Sequence, residues 1–106
     1  AAAFLRLKGW RVVDRNWRCR GGELDLVAQA DPDTLVFVEV KTRSGDHCGV
    51  PAAAVTARKL ARLRRLAAAW LAAHDLHAAV VRIDVVAVTT GGPAGRSVQH
   101  LQGVSL

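Results

Sequence analysis

Cysteine is scarce: Cys19 and Cys48 are the only two, far apart and without C-x-x-C spacing. No disulfide framework is indicated. A zinc site would have to gather His47, His74, His77 or His100 from scattered positions, which argues against zinc. No apolar run approaches the ~20 residues of a membrane span, and no basic flank precedes an apolar core at the start, so no signal peptide is read. The expectation is a soluble, cytoplasmic protein with no membrane partner. Aromatic residues are few, and repeats and low-complexity segments are absent. At 106 residues the chain is long enough to bury one core of its own and too short for a second domain. Glutamate is the scarcest charged residue, with only Glu23 and Glu39.

Positive charge is in excess. Twelve Arg and three Lys stand against nine acids, a net charge of +6 at pH 7. Guanidinium forks pair bidentately with phosphate oxygens, so the Arg preference points to nucleic acid as partner. The competing explanation is compositional bias in an Arg- and Ala-rich sequence.

Both glutamates fall in one stretch, Gly22 to Lys41. It contains two apolar runs of strand character separated by Asp31-Pro32-Asp33-Thr34, a turn sequence, and so predicts a hairpin. With side chains alternating between faces, Glu23 and Asp25 share one face of the first run, and Glu39 and Lys41 one face of the second. Leu24, Leu26 and Ala28, with Val36, Val38 and Val40, make the opposite, apolar face. Three carboxylates and an ammonium are therefore expected to meet on a single face. Like charges that close call for a cation, and hard carboxylate oxygens with water suit Mg²⁺. The plainer alternative is a solvated strand face with an ion pair between Glu39 and Lys41. Gly21-Gly22 allows close backbone approach beside Glu23.

Asp25 followed after the turn by Glu39-Val40-Lys41 resembles the D…(D/E)-x-K signature of the restriction-endonuclease-like PD-(D/E)XK nucleases. A narrower likeness rests on Gly22-Glu23-Leu24-Asp25-Leu26, Val36 to Arg43, Gly49-Val50-Pro51 with Lys59 beyond it, and Arg82 to Val86. Over nearly its whole length the chain resembles the bacterial YraN-like family, a small branch with this fold. The resemblance implies an αβββαβ core and a metal-dependent endonuclease. Asp25, Glu39 and the Val40 carbonyl would hold Mg²⁺ or Mn²⁺, and Lys41 would orient or polarise the attacking water. Glu23 would hold a second cation or position Arg18 or Arg20. Nucleic acid, DNA ahead of RNA, would meet Arg18, Arg20, Arg43, Lys59 and Arg62. A homodimer is left open. The family also implies a longer first helix, with part of an acidic helix preceding Ala1.

The remaining elements follow from periodicity. Ala1 to Lys8 reads as a helix with Phe4, Leu5 and Leu7 toward the core, stopped at Gly9. Trp10 to Arg18 reads as an edge or half-buried strand with Arg11, Arg15 and Arg18 outward, and Cys19 to Gly22 as a turn that leaves Arg18 and Arg20 either ion-paired or on phosphate. Thr42 to Pro51 reads as a loop that either gates the site or merely connects. Pro51 to His74 is helical, with Thr56 as an alternative N-cap. Its core stripe is Leu60, Leu63, Leu66, Ala67, Trp70, Leu71 and His74. Arg58, Arg62 and Arg65 lie opposite, either phosphate-binding or solvated, and Lys59 sits on the border where it can point at the carboxylates. Val80 to Thr89 reads as a central strand with an Arg82–Asp84 ion pair, and Val98 to Leu101 as a short last strand after a Gly-rich turn. The whole is a single α/β domain: a mixed central sheet flanked by helices. Two rivals remain: a nucleic-acid-binding module that does not cut, and a structural or recruiting protein.

Overall fold

The computed structural model describes residues 1–44, 56–92 and 95–104. The elements run α1 (Ala2–Leu7), β1 (Arg11–Cys19), β2 (Gly22–Asp31), β3 (Thr34–Ser44), α2 (Ala57–His74), β4 (Val80–Gly92) and β5 (Gly95–Leu101). The five strands form one sheet in sequence order. Neighbours are antiparallel except β3 and β4, which are parallel. Antiparallel neighbours close through short turns, whereas a parallel pair needs a long crossover, and α2 lies in that crossover.

The β2–β3 hairpin turns where the sequence places it. Asp31 pairs with Thr34. The Asp31 carboxylate accepts from the Asp33 amide at 2.9 Å and from the Thr34 hydroxyl at 3.1 Å, an Asx-type closure of the turn. At the start of α2, Thr56 is the N-cap, its hydroxyl accepting from the Lys59 amide at 3.2 Å.

Both faces of the sheet are core. On one, Leu24, Val27, Leu35, Phe37, Ile83 and Val85 pack under Leu60, Leu63, Leu66, Ala67 and Trp70 of α2. On the other, Leu26, Ala28, Val36, Val38, Val86 and Val88 pack with Leu5 of α1. A bulge between Val12 and Asp14 re-aims β1. Asp14 then accepts from the Trp70 indole N–H at 2.9 Å, and His74 stacks on the same indole.

Several expectations need correction. Leu7 is exposed rather than buried. It lies about 200° around the helix from Leu5, so the two cannot face the same core. Thr42, Arg43 and Ser44 do not open a loop but continue β3, paired with Val88, Thr89 and Thr90 of β4. The remainder of that expected loop, with His47, Cys48 and the Gly49-Val50-Pro51 segment, lies outside the described residues. Val80 and Val81 are exposed, so two-sided cover of β4 begins only at Ile83. The last strand starts at Gly95, not Val98. His74 is exposed although it touches Trp70.

The Arg82–Asp84 pair is present and larger than the sequence suggests. Asp84 is fully buried. Its carboxylate accepts from Arg82 Nε and Nη2 at 2.9 and 3.0 Å, from His100 Nε2 at 2.7 Å and from the Gly103 amide at 2.9 Å. His100 Nδ1 in turn meets Lys8 Nζ at 2.7 Å. One carboxylate thus ties β4 to β5, to the segment after it and, through His100, to the end of α1. Removing one member of a buried charge pair strands the other, at about 3–5 kcal/mol. Asp84→Ala is expected to lower unfolding stability in urea by about that amount with the slope unchanged. An unshifted midpoint would show that Arg82 and His100 do not depend on it.

Candidate active site where β2 leaves β3

Pairing of β2 with β3 runs from Asp31↔Thr34 to Leu26↔Val38. The ladder ends there, one residue short of Asp25 on β2 and of Glu39 on β3. There the chain departs from simple alternation. Leu24 packs under α2 and Leu26 on the α1 side, although they are two residues apart. The strand therefore rotates at Asp25. Opposite it on β1, between the pairs Arg15↔Leu26 and Trp17↔Leu24, Asn16 has a φ of 53°. Asn tolerates that left-handed conformation better than most residues.

The rotation lays the half-buried Asp25 side chain toward β3. Its Oδ2 accepts the Val40 N–H at 2.8 Å, in place of a ladder carbonyl. In an antiparallel ladder a residue's N–H and C=O turn to the same neighbouring strand, so the Val40 carbonyl also turns to the β2 side. Asp25 lines a shallow hollow with Ala1, Ala2, Arg15, Asn16 and Val40.

Glu39 continues the Leu35 and Phe37 row and faces α2. It is 8 % exposed. Lys59 of α2 places Nζ 3.5 Å from Oε1, an ion pair too long for a strong hydrogen bond. Oε2 is buried and has no hydrogen-bond partner among the described residues. A buried carboxylate oxygen left in that state is costly unless a cation or donor completes it.

Lys41, half-buried, lies two residues further on the same face. The neighbouring Lys59 amine, then burial, hold its pKa below the ordinary 10.5; the Lys59 and Arg43 charges act in the same direction, and Glu39 opposes them.

Asp25 thus engages the Val40 N–H, and Glu39 and Lys41 flank Val40 on the α2 face with Lys59 where the helix border places it, while the hollow that Asp25 lines contains none of these three side chains. Glu23 does not join them. It is exposed, and its Oε2 accepts from Arg18 Nε at 3.0 Å across the β1–β2 pair. The convergence of three carboxylates on one face is absent among the described residues, where no group of three or more His, Cys, Asp or Glu gathers. The rotation at Asp25 is the reason, since it separates faces that strict alternation would merge. Arg20 and Arg62 line a common hollow against α2, joined by Arg65. Sequence reasoning missed Asn16, whose signal is an Asn inside an Arg-rich strand. It also missed the approach of Lys41 to Lys59, which follows from how α2 crosses β3 and has no local signal.

Among the described residues no helix is long and apolar enough to cross a membrane. The family model described as "Uncharacterised protein family UPF0102" matches residues 1–88. A UPF0102 protein of Beutenbergia cavernae is 62% identical over 104 residues, covering 98% of this chain and 87% of that protein. One from Mycolicibacterium smegmatis is 54% identical over 105 residues, 98% and 85% of the two chains. One from Frankia casuarinae is 52% identical over 103 residues, 97% and 86%. The matched region contains Asp25, Glu39, Lys41 and Lys59, and by model and relatives alike the chain belongs to the UPF0102 family, the YraN-like group that its motifs resemble.

Proposed function

We propose that this protein is a metal-dependent endonuclease of the restriction-endonuclease-like PD-(D/E)XK type, hydrolysing phosphodiester bonds in nucleic acid, DNA ahead of RNA. The observation that carries the reading is the buried, unpartnered Oε2 of Glu39 beside a peptide that Asp25 also engages. An oxygen so placed asks for a cation, and Lys59 serves only Oε1. Two carboxylates and a carbonyl are hard donors of the kind that Mg²⁺ and Mn²⁺ accept. Asp25, Glu39 and the Val40 carbonyl would hold the ion. When bound, it supplies Lewis acidity, lowering the pKa of water and offsetting charge on the phosphoryl oxygens.

The chain's own residues supply the rest. Asp25 keeps its orientation through the Val40 N–H, and Lys59 anchors Glu39 by one oxygen while leaving the other available. Lys41, whose pKa is held down by the neighbouring Lys59 amine and by burial, is suited to orient or polarise the attacking water. Arg20, Arg43 and Arg62 add positive charge for the nucleic-acid backbone. Glu23 would position Arg18, its ion-pair partner at the surface.

Binding to the folded state alone stabilises it by mass action. Mn²⁺ at about 100 times its dissociation constant is expected to add about 2.7 kcal/mol, read as a rise in Tm. Glu39→Gln should abolish that rise; an equal rise in the variant places the ion elsewhere.

Lys41→Ala should lower cleavage by about a hundredfold or more while retaining metal stabilisation and most nucleic-acid affinity. Arg62→Ala should instead weaken binding and reduce the salt slope by about 0.9 for each duplex phosphate lost. Binding without metal-dependent cleavage of any DNA or RNA form would replace the enzyme by a non-cutting binding module.

The pH dependence has a definite sign. Because the folded pKa of Lys41 lies below the ordinary 10.5, the unfolded chain binds more protons between those two values. Stability should therefore gain a rising component across that alkaline window, at its least favourable below the folded pKa. Lys41→Met should remove this component in thermal melts at stepped pH, and an unchanged slope would exclude Lys41 as its source.

A further inference from the structure

Between the β1–β2 turn and α2 lies a second hollow of about 340 Å³, separate from the residues that hold Asp25 and Glu39. Its walls are mostly apolar: Leu66 and Ala69 of α2, and Cys19, a free thiol. Gly21 leaves it open, since a Cβ there would stand 3.5 Å from Leu66 Cδ2 and 3.9 Å from the Cys19 sulfur. Arg20, Arg62 and Arg65 surround it, and none of the three has a carboxylate within ion-pair distance among the described residues. The nearby Glu23 is occupied by Arg18.

We infer that this hollow receives one unpaired nucleobase, with the phosphates on either side of it held by Arg20, Arg62 and Arg65. A fatty acid brings one negative charge to three cations, whereas successive phosphates bring one each. Three cations around an apolar recess match a chain of phosphates bearing an apolar, planar group. Guanidinium planes also stack on bases. The recess is at the small end of ligand sites, which span roughly 300–1,000 Å³. A base enters it only after leaving a duplex stack, which is cheapest in a single strand. Arg62, at the rim of the hollow, is about one turn along α2 from Lys59, roughly 4.5 Å in rise, so the phosphate it holds lies on the side of the hollow toward Glu39. The substrate class is then single-stranded nucleic acid, or a duplex with an unpaired segment beside the cut. The inference rests on the nucleic-acid part of the proposed function but not on cleavage.

Cys19 provides the readout. In a Cys48→Ser background it is the sole thiol, and its alkylation by iodoacetamide reports access to the hollow. With chelator present to prevent cutting, single-stranded oligothymidylate at about ten times its dissociation constant should slow alkylation by about tenfold. A blunt duplex, inorganic polyphosphate and laurate should leave the rate within about twofold, since an occupancy of half or less slows it no more than that. Ala69→Trp, which fills the recess without touching charge, should cost the single strand its protection, and Arg65→Glu should weaken its binding. Equal protection by polyphosphate overturns the nucleobase, equal protection by laurate overturns the nucleotide class, and no protection by oligothymidylate overturns the site. Metal-dependent cutting of duplex without Cys19 protection leaves the nuclease reading standing and removes this one. Protection without any cutting does the reverse.

Discussion

The unbroken parallel ladder between β3 and β4, from Thr34↔Val80 to Ser44↔Thr90, is the constraint from which the other features follow. Parallel neighbours cannot be joined by a tight turn, so a crossover must return the chain, and its helix covers the sheet. With α2 on one face and α1 on the other, the middle of β3 and β4 has no access to water. An ionisable residue in those strands needs partners brought by tertiary structure. Two carboxylates are placed that way. Asp84 receives donors at both oxygens, while among the described residues Glu39 receives one cation at one oxygen and nothing at the other. Asp84 thereby fastens β4 to β5 and to the segment after it.

Lys59 can be understood in the same terms. It stands at the boundary between the apolar stripe of α2 and the arginine-bearing surface, so its stem packs while its ammonium reaches the sheet. Without such a cation, Glu39 would be an uncompensated buried charge that destabilises the core. The same ammonium presses on Lys41 from the other side. One residue thereby bears on both Glu39 and Lys41.

Local pattern carries far where one rule operates. The Asp31-Pro32-Asp33-Thr34 turn, the Thr56 cap, the Leu60 to Trp70 stripe and the placement of Lys59 all depend on short-range geometry, and all are visible in the residues. The resemblance in the D…E-x-K spacing adds Asp25, Glu39 and Lys41, of which Asp25 bonds the Val40 N–H and the other two flank Val40 in sequence. What stays hidden depends on more than one segment. A period of two assigns Leu24 and Leu26 to one face, and only the rotation at Asp25, matched by Asn16 on the neighbouring strand, divides them between two cores. Glu23 is lost from the site for the same reason. The partnership of Asp84 with His100 and Gly103 joins residues 16 and 19 positions apart, and no spacing rule connects them.

The open side of β1 has a consequence of its own. An edge strand offers unpaired amides and carbonyls as a template on which another chain can align, the first step of ordered aggregation. Here that side is interrupted by the bulge at Val12 and Asp14 and by the left-handed Asn16, and it carries the exposed Arg11, Arg15 and Arg18. A second β1 approaching it would meet like charge and a broken rhythm of hydrogen-bonding groups. The irregularity that aims Asp25 at β3 therefore also protects the protein from its own copies at high concentration.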